Sequence, residues 1–543
     1  MLPQIRSYEG LREAFKWKIP EFFNIGVDIS DKWAEREPNR EALVFVREDG
    51  MVSHYTFGDL KEKSNQLANL LSSRGVARGD RVGILLPQAP ETAFGHIAIH
   101  KMGAISIPLF TLFGEEALEY RLNNSEAKAI ITNAMGAEKL QHLRGRLPHL
   151  KVVLCIDGAL HGAEDYHALT QWHSTEFEPV KTRADDPAMI VYTSGTTGQP
   201  KGALHAHRVL LGHLPGVEFP HDLFPQEGDR FWTPADWAWI GGLMDALMPA
   251  LHHGVPVVAC RFRKFTGEAA FQLLQDQKIR NAFIPPTALK MMRTVENPQE
   301  RWNYSVRTLG SGGEALGAEL LDWGRKTFGI TINEFYGQTE CNLVVATCSQ
   351  MMETRPGIMG KAVPGFDVRI VDDTGEELPR GTQGNIAIKT PNPIMFLEYW
   401  RNPEATAKKV INGFLMTGDQ GVMDAEDWIR FVGRDDDVIT SSGYRIGPGE
   451  IEDCLLKHDA VAMVGVIGKP DATRTEIVKA YVVLRQGIEP SKELADELAL
   501  FVKERLAAHE YPREVEFVDA LPMTTTGKVI RRELRQRAME DDR

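Results

Sequence analysis

The chain has 543 residues, of which 43% are hydrophobic and 25% are charged, and this balance is typical of a globular protein with more than one hydrophobic core. Its formal net charge of -13 argues against sequence-independent binding of nucleic acid, because such binding requires a basic surface. The five cysteines are scattered, odd in number and without C-x-x-C spacing, so the sequence predicts neither a disulfide framework nor a zinc ribbon.

The first residues, MLPQIRSYEGLREAFKW, include acidic side chains and have no apolar core. They therefore resemble neither a signal peptide nor a typical transit peptide. The chain also has no stretch of about twenty uncharged apolar residues, so we expect no membrane span. The simplest expectation is a protein of the reducing cytoplasm.

Short aliphatic runs alternate with segments of helical periodicity through the first part of the chain. The runs 81–86, 129–132, 152–156 and 256–259 predict strands, and the segments 57–73 and 267–277 predict amphipathic helices. This alternation is typical of βαβ units, so we expect largely parallel sheets. From about residue 357 the pattern changes to short strands separated by glycine turns, which favours an antiparallel or barrel-like subdomain.

A cluster of charge at 433–437, GRDDD, follows a predicted strand at 428–432. We place a domain boundary there, with an N-terminal domain of residues 1–433 and a C-terminal domain of residues 434–543. Beyond the boundary, 461–467 and 477–484 predict strands and 491–508 predicts a helix. That length is enough for a small α+β domain.

The segment 192–202, YTSGTTGQPKG, combines hydroxyl residues, glycines and a lysine directly after the apolar run 188–191. Short hydroxyls and bare backbone N–H groups can surround phosphate oxygens, and Lys201 adds positive charge. The Walker loop has a glycine before its lysine and a hydroxyl residue after it. Here Pro200 and Gly202 occupy those positions, so the sequence predicts a phosphate-binding loop of another kind.

Five further segments downstream of the loop suit the binding of a nucleotide. The turn 311–315, SGGEA, offers bare backbone against which a flat purine ring can lie. The segment 333–340, NEFYGQTE, offers an aromatic ring at Tyr336, a hydroxyl at Thr339 and a carboxylate at Glu340. Glu340 is a candidate Mg2+ ligand, since magnesium bound to nucleotide phosphates typically takes one or two protein carboxylates.

The other three segments follow later in the chain. Asp419, in the turn TGD, can accept hydrogen bonds from both hydroxyls of a ribose, and Arg434 offers guanidinium donors to ribose or phosphate. The segment 522–531, PMTTTGKVIR, places Lys528 beside a glycine. Each segment taken alone is as compatible with a structural turn as with a binding site.

Together and in this order, the segments resemble those of the AMP-forming acyl-CoA synthetases, in the adenylate-forming superfamily that also includes luciferases and peptide-synthetase adenylation domains. The resemblance covers essentially the whole chain and is greatest to the medium-chain acyl-CoA synthetases. It implies an α/β fold, with a large N-terminal domain of two βαβ-type sheets plus a distorted β-barrel and a small mobile α+β C-terminal domain. It also implies that a carboxylate and ATP give acyl-AMP and pyrophosphate, after which coenzyme A gives acyl-CoA and AMP.

The resemblance also implies roles for individual residues. The catalytic candidates are Lys528, which would bridge the carboxylate and the α-phosphate, together with Thr339 and Glu340, the latter holding Mg2+. Lys201 and the hydroxyls of its loop would hold pyrophosphate. The residues implied to bind ATP or AMP are Thr193, Ser194, Gly195, Thr196, Thr197, Gly198, Lys201, Gly313, Glu314, Ala315, Glu334, Phe335, Tyr336, Gly337, Gln338, Thr339, Asp419, Arg434, Arg445 and Lys528.

In relatives, a segment like 440–450 moves into the site for the second half-reaction. The residues implied to contact coenzyme A are Ser442, Gly443, Tyr444, Arg474, Tyr511, Pro512 and Arg513. Asp436 matches the hinge position, and hinges absorb large backbone rotations at a few residues. Acylation of Lys528, a control known in relatives, would neutralise its charge and block adenylation.

Two residues bear on the identity of the acid. Trp239 matches a pocket-wall position of medium-chain relatives, whereas Trp232 and Trp237 are as compatible with the hydrophobic core as with a pocket. Gly337 stands where acetate-specific synthetases carry tryptophan, and a glycine would leave room for more carbons. We therefore expect the small-molecule partner to be a short- to medium-chain monocarboxylic acid, including branched or aromatic ones.

Two alternative functions stay open at this point. One is an adenylating enzyme that loads the thiol of a carrier protein, and the other is a catalytically inactive nucleotide-binding regulatory protein. The histidine pairs 205/207 and 252/253 have no carboxylate or cysteine at ligand spacing, which favours structural roles over a metal site. The oligomeric state, including a homo-oligomer, is left open by the sequence.

Overall fold

Within the described residues, four β-sheets form the framework, and they divide equally between two units of the chain. The computed structural model describes residues 1–193, 199–262, 264–313, 316–434, 437–441, 444–471, 474–506, 510–524 and 527–540. The first unit consists of Met1–Asp367 and Thr390–Lys408, and the second consists of Val368–Lys389 and Lys409–Arg543. The predicted domain boundary at residue 433 stays a prediction.

The larger sheet of the first unit is parallel at its centre and antiparallel at both edges. Its buried strands Val257–Cys260 and Thr308–Gly312 lie under helices, because parallel strands joined by crossovers bury both faces. The strands among the described residues, in spatial order, are Lys361–Ala362, Asn342–Ala346, Asn333–Gln338, Thr308–Gly312, Asn281–Phe283, Phe231–Trp232, Val257–Cys260, Glu41–Val46 and Val52–Thr56.

The second sheet of this unit is also mainly parallel, with two antiparallel strand pairings at one edge, on either side of Lys201–Ala206. Consecutive side chains of one strand enter different cores: Ile131 packs with Ile84 on one face, and Ile130 packs with Leu85 on the other. The strands among the described residues, in spatial order, are Glu398–Tyr399, Lys201–Ala206, Pro187–Thr193, Ile105–Pro108, Arg81–Leu85, Ala129–Thr132, Val152–Cys155 and Glu164–Asp165.

Helices cover both sheets of the first unit. The longest begins with a capping box, in which Asp59 N donates to Thr56 Oγ1 at 3.1 Å and Thr56 N donates to Asp59 Oδ2 at 2.8 Å. The helical segments are Tyr8–Ala14, Val27–Asp31, Lys32–Ala34, Phe57–Ser73, Pro90–Lys101, Glu115–Ser125, Ala134–Leu143, Arg144–Arg146, Tyr166–Thr170, Val209–Glu218, Ile240–Gly242, Leu243–Leu247, Met248–His252, Gly267–Asp276, Pro286–Arg293, Pro298–Arg301, Ala318–Phe328 and Pro403–Ala407.

The second unit holds an antiparallel sheet followed by a mixed sheet with helices. The antiparallel sheet consists of Val368–Val371, Gln383–Lys389, Phe414–Met423 and Val410–Ile411, with Ile429–Arg434 paired to Phe414–Met423. The mixed sheet consists of Tyr444–Ile446, Ile439–Ser441, Thr475–Leu484 and Val461–Asp471, with Glu514–Phe517 paired to Thr475–Leu484. The helices are Pro448–Leu455, Lys492–Arg505 and Arg531–Glu540.

This architecture confirms the α/β fold that the sequence predicts, with two mainly parallel sheets, an antiparallel sheet in the place of the expected barrel and a small α+β part. The helix predicted at 57–73 is Phe57–Ser73, and the one predicted at 267–277 ends one residue earlier. Predicted strands shift by a few residues at their ends, as at Ile429–Arg434. Among the helices that the structure describes, none has the length and hydrophobicity that crossing a membrane requires.

A group of histidines is buried inside the first unit. The rings of His96 and His100 lie 6.0 Å apart, and those of His100 and His207 lie 5.6 Å apart. Burial lowers the pKa of His96, His205 and His207 to about 3, because an imidazolium would lose its hydration there. Within the described part of the chain, no group of three or more His, Cys, Asp or Glu side chains could hold a metal ion.

We expect these histidines to make the first unit unstable in mild acid. Below pH 6.5 these histidines are protonated in the unfolded chain, whereas in the folded chain they stay neutral down to about pH 3. The free energy of unfolding therefore falls as the pH falls from 6.5 to 3. At pH 5 each such histidine costs about 2 kcal/mol of unfolding free energy relative to neutral pH. The urea midpoint measured between pH 7.5 and pH 5 checks this.

His205→Leu should reduce the number of protons taken up on unfolding by about one, and so flatten the pH dependence of stability. Both ring nitrogens of His205 are buried, without a hydrogen-bond partner in the part of the chain that the structure describes. His149→Leu is the matched control, because half of the His149 side chain is exposed. A urea midpoint that stays constant from pH 6.5 to pH 5, or equal slopes for both variants, would contradict this account.

Candidate active site

The predicted phosphate loop connects two antiparallel strands at one edge of the second sheet. The register pairs Thr193 with Lys201, and the Thr193 hydroxyl donates to the Lys201 carbonyl oxygen at 3.3 Å. The Tyr120 hydroxyl donates to the Pro200 carbonyl oxygen at 3.0 Å. The two ends of the loop are therefore held together, as a tight turn around an anion requires. Its residues Ser194, Gly195, Thr196, Thr197 and Gly198 lie outside the described residues.

Lys201 and Glu340 meet at one aromatic ring. The strand Glu398–Tyr399 pairs antiparallel with Lys201–Ala206, and the Lys201 ammonium nitrogen lies 5.3 Å from the centroid of the Tyr399 ring. The Tyr399 hydroxyl donates a hydrogen bond to Glu340 Oε1. Glu340 is buried, with 7% of its surface exposed. The structure thus brings the lysine of the phosphate loop and the predicted metal carboxylate to the same place.

The two predicted purine-binding segments lie side by side. The strands Thr308–Gly312 and Asn333–Gln338 are parallel neighbours, with Gly312 opposite Phe335. Phe335 packs against Phe283, with ring centroids 5.1 Å apart. Gly313 follows at a backbone φ of +95°, which favours glycine. The predicted residues Glu334, Phe335, Tyr336, Gly337 and Gln338 are in the second strand, Thr339 and Glu340 follow it, and Glu314 and Ala315 lie outside the described residues.

Gly337 lies where the hairpin of Asn333–Gln338 and Asn342–Ala346 is irregular. A Cβ atom at Gly337 would lie 1.5 Å from the carbonyl oxygen of Asn342. Any side chain at this position would therefore overlap the backbone of the neighbouring strand, so the hairpin itself requires glycine. The role of Gly337 in the acyl pocket stays a prediction, but a bulky substitution at this position would alter the hairpin as well as any pocket.

We expect Gly337→Ala to destabilise the first unit, because the new methyl group would overlap the Asn342 carbonyl oxygen. The cost should be at least about 1–3 kcal/mol, as for other overpacked positions. Gly145→Ala is the control, since a Cβ at Gly145 meets nothing within 4 Å. Thermal unfolding of both variants measures the difference, and equal midpoints would contradict the assignment.

Trp239 lies beside the predicted purine turn. Its ring centroid is 6.0 Å from that of Phe283, and a Cβ at Gly313 would lie 3.5 Å from Trp239 Cη2. Trp232 and Trp237, by contrast, are fully buried, and among the described residues neither indole nitrogen has a hydrogen-bond partner. They are core residues, whereas Trp239 is only partly buried, and its role in the acyl pocket stays a prediction.

Sequence reasoning did not identify three residues near these motifs. Tyr399 is one, and Phe283 against Trp239 is another. The third is Asp236, where burial raises the pKa of the carboxyl to about 6 while Ala238 N donates to Asp236 Oδ1 at 2.8 Å. The only signal for Asp236 in the sequence is an acidic residue inside an otherwise apolar run.

Two of the predicted ribose contacts are direct neighbours in the second unit. Asp419 is opposite Arg434 in the antiparallel pairing of Phe414–Met423 with Ile429–Arg434. The Asp419 N–H donates to Thr417 Oγ1 at 3.1 Å, and Gly418 between them has a φ of +78°. This turn fixes the backbone of Asp419, whose side chain is buried, at the position opposite Arg434.

Lys528 sits at the end of a closed turn in the second unit. Its N–H donates to Thr524 Oγ1 at 3.0 Å, and its carbonyl oxygen accepts from Thr524 N at 2.7 Å. Gly527 precedes it at a φ of +84°. The backbone of Lys528 is therefore fixed while its side chain is exposed.

The helix after this turn is anchored by charge. Arg531 binds both carboxylate oxygens of Glu452 at 2.7 Å and approaches Asp437 at 3.4 Å, while Arg535 reaches Asp437 at 2.6 Å. One guanidinium nitrogen, Arg531 Nη2, donates to both oxygens of Glu452, and such charge-assisted bonds are stronger than neutral ones. Asp436, the predicted hinge, lies outside the described residues, and Asp437 follows it.

The predicted coenzyme A residues are described only in part. Ser442 and Gly443, and the side chains of Tyr444 and Arg445, lie outside the described residues. The Arg513 guanidinium lies 4.4 Å from the centroid of the Tyr511 ring, next to Pro512. Arg474 N donates to Asp471 Oδ1 at 2.8 Å.

Comparison with known proteins gives two family matches. Residues 30–400 match the family described as AMP-binding enzyme, and residues 450–528 match its C-terminal domain. The chain is 36% identical to acetyl-coenzyme A synthetase of Bacillus subtilis, covering 98% of this chain and 95% of that protein. It is 34% identical to human mitochondrial acyl-coenzyme A synthetase ACSM3, covering 98% of this chain and 92% of that protein.

Solved structures agree with these matches. An acyl-CoA synthetase of Brucella canis has 34% identity and a TM-score of 0.76, with 99% of this chain and 100% of that chain covered. The anthranilate CoA ligase AuaEII in complex with anthranoyl-AMP has 28% identity and a TM-score of 0.88, with 96% and 99% covered. The names of these relatives include both an aliphatic and an aromatic acid.

Proposed function

The chain belongs to the family of AMP-binding enzymes, and on this premise we propose how it works as an AMP-forming acyl-CoA synthetase, an acid–thiol ligase. In the first half-reaction a carboxylate oxygen bonds to the α-phosphorus of ATP, and the bond to pyrophosphate breaks. In the second, the sulfur of coenzyme A bonds to the acyl carbon, AMP leaves with the electrons of the acyl–oxygen bond, and the thiol proton passes to solvent. The observation that best supports this proposal is that Lys201 and Glu340 meet at one ring.

The residues of the first unit suit the triphosphate. Lys201 and the loop before it would hold the pyrophosphate that leaves, because an ammonium and backbone N–H groups neutralise its charge. Glu340 fits Mg2+, since this ion takes one or two carboxylates and fills its other positions with phosphate oxygens and water. Bound magnesium would neutralise part of the charge that the carboxylate must approach.

The residues of the second unit suit the rest of the nucleotide and the acid. Asp419 would accept from the ribose hydroxyls, with Arg434 beside it. Lys528 would lie between the carboxylate and the α-phosphate, where two anions must meet. One ammonium at ~4 Å with an effective dielectric of ~20 contributes about 4 kcal/mol, against about 1 kcal/mol in water.

We expect Lys528→Ala to lower the rate of acyl-AMP formation by at least about 100-fold, because the two anions then lose a contact of several kcal/mol. Thioester formation from supplied acyl-AMP should be spared, since no negative charge has to approach the phosphate in that step. Acid-dependent ATP–pyrophosphate exchange measures the first half-reaction, and release of AMP from acyl-AMP with coenzyme A measures the second.

Lys457→Ala is the control, because Lys457 is an exposed lysine of the same unit. Equal loss of both half-reactions in Lys528→Ala would contradict the assigned role. Normal pyrophosphate exchange, with AMP released only when a carrier-protein thiol replaces coenzyme A, would instead identify another acceptor.

The acid is the part of the proposal that a substrate panel decides. We propose a short- to medium-chain monocarboxylate, aliphatic or aromatic, bound against Trp239 and Phe283. Each methylene that becomes buried adds about 0.8 kcal/mol, so a deeper pocket favours longer acids. A panel from acetate to decanoate with benzoate, read by pyrophosphate exchange, should give one maximum within this range. No exchange with any acid would contradict the function itself.

Trp239→Ala should move the maximum toward longer acids, since it removes a large ring from the proposed wall. Each additional buried methylene should raise relative kcat/KM roughly fourfold, the equivalent of about 0.8 kcal/mol. Trp172→Ala is the matched control, because Trp172 is 83% exposed. An unchanged chain-length profile in Trp239→Ala would show that the acid binds elsewhere.

A further inference from the structure

We infer that Tyr399 is a positioning residue, which holds the magnesium carboxylate with its hydroxyl and the lysine of the phosphate loop with its ring. This inference rests on the proposed function, because it assigns Tyr399 a part in binding the metal complex of ATP. Three observations carry it: the Tyr399 hydroxyl donates to Glu340, the Lys201 ammonium lies 5.3 Å from the ring centroid, and Tyr399 is 5% exposed.

The backbone explains why this tyrosine reaches both charges. Tyr399 is opposite Ala203 in the antiparallel pairing, and Lys201 is two residues from Ala203 on the same strand. Side chains two apart share a face of a sheet, so Lys201 is the diagonal neighbour of Tyr399. The register of a two-residue strand therefore places the ring beneath the ammonium.

Further backbone hydrogen bonds fix this short strand at both ends. Trp400 N donates to the Gly202 carbonyl oxygen at 2.7 Å, and Leu397 N donates to Leu204 O at 2.7 Å. Phe396 N donates to the carbonyl oxygen of Glu340 at 3.0 Å. The segment is thus bound to the phosphate-loop strand and to the backbone of Glu340, so the backbone positions of the three residues are fixed relative to one another.

The two contacts of Tyr399 differ in kind. A hydroxyl that donates to a buried carboxylate orients it and supports its charged form, as partners behind a metal ligand commonly do. The face of the ring attracts the ammonium by its quadrupole, without neutralising the ammonium as a carboxylate would. Lys201 is therefore held in place while keeping its full charge for a phosphate.

Each contact predicts a separate loss in binding. Tyr399→Phe keeps the ring and removes only the hydroxyl, so the metal-dependent part of nucleotide affinity should fall by about tenfold or more, the usual effect of losing a partner behind a metal ligand. Tyr399→Leu removes the ring as well, so the affinity without metal should also fall.

Calorimetric titration with α,β-methylene-ATP, which cannot release pyrophosphate, tests this without catalysis. The dissociation constant is measured in excess Mg2+ and in EDTA. The value in EDTA divided by the value in Mg2+ gives the metal-dependent part of the affinity. We expect Tyr399→Phe to lower that ratio about tenfold while the EDTA value stays as in the wild type. Tyr304→Phe is the control, because it also removes one tyrosine hydroxyl, but this hydroxyl donates to the Thr327 carbonyl oxygen and not to a carboxylate.

A double-mutant cycle with Glu340→Gln separates positioning from general packing. If Tyr399 acts through Glu340, the added Tyr399→Phe change should lower the ratio no further in Glu340→Gln protein. The inference would be overturned if the double variant lost the product of the two single-variant losses in this ratio. It would also be overturned if Tyr399→Phe left the ratio unchanged. Wild-type protein without acid-dependent pyrophosphate exchange would refute the proposed function instead, so the two failures are distinguishable.

Discussion

The candidate site depends on the register of three antiparallel strands at the edge of one sheet. Pro187–Thr193 and Lys201–Ala206 close the phosphate loop, and Glu398–Tyr399 adds to the same edge. Register decides which side chains share a face, so it determines the chemistry at this edge as much as residue identity does. A slip of one residue would turn the Tyr399 ring away from Lys201.

Local charge, rather than the net charge of -13, governs what this chain can bind. In the first unit an ammonium and a buried carboxylate lie near the loop, and in the second an aspartate and an arginine occupy opposite positions on two paired strands. Each is a mixed pair, suited to a ligand that brings both negative charge and a cation or hydroxyl donors. An acidic protein can therefore bind an anionic nucleotide at particular points.

The sequence predicted elements whose signals are local. Phe57–Ser73 was predictable because its apolar residues recur with helical periodicity. The capping box of Thr56 and Asp59 at its N-terminus is also a local feature. The phosphate loop and Glu340 were predictable because their residue types suit phosphate and metal. Tyr399 was not, because its importance comes from a partner across a long-range strand pairing, and one tyrosine after a glutamate has no chemical signature of its own.

Glycines and tryptophans show the same limit. From the sequence, Gly337 is expected to leave room for a longer acid. In the fold, its backbone lies so close to that of Asn342 that a side chain would overlap it. Trp232, Trp237 and Trp239 are the same residue type in one short segment, and only their burial in the fold separates the two core residues from the partly buried Trp239. Position in a sheet, which depends on pairing across the chain, is the information that local pattern lacks.

The arginine anchor of the last helix has a mechanical consequence. Lys528 is three residues before Arg531, and Arg531 and Arg535 bind Asp437, the residue after the predicted hinge. If the chain turns at Asp436, these bonds make the turn that carries Lys528 follow the backbone at Asp437. A rotation of the backbone there would then pass directly to the lysine, with little lost to bending between them.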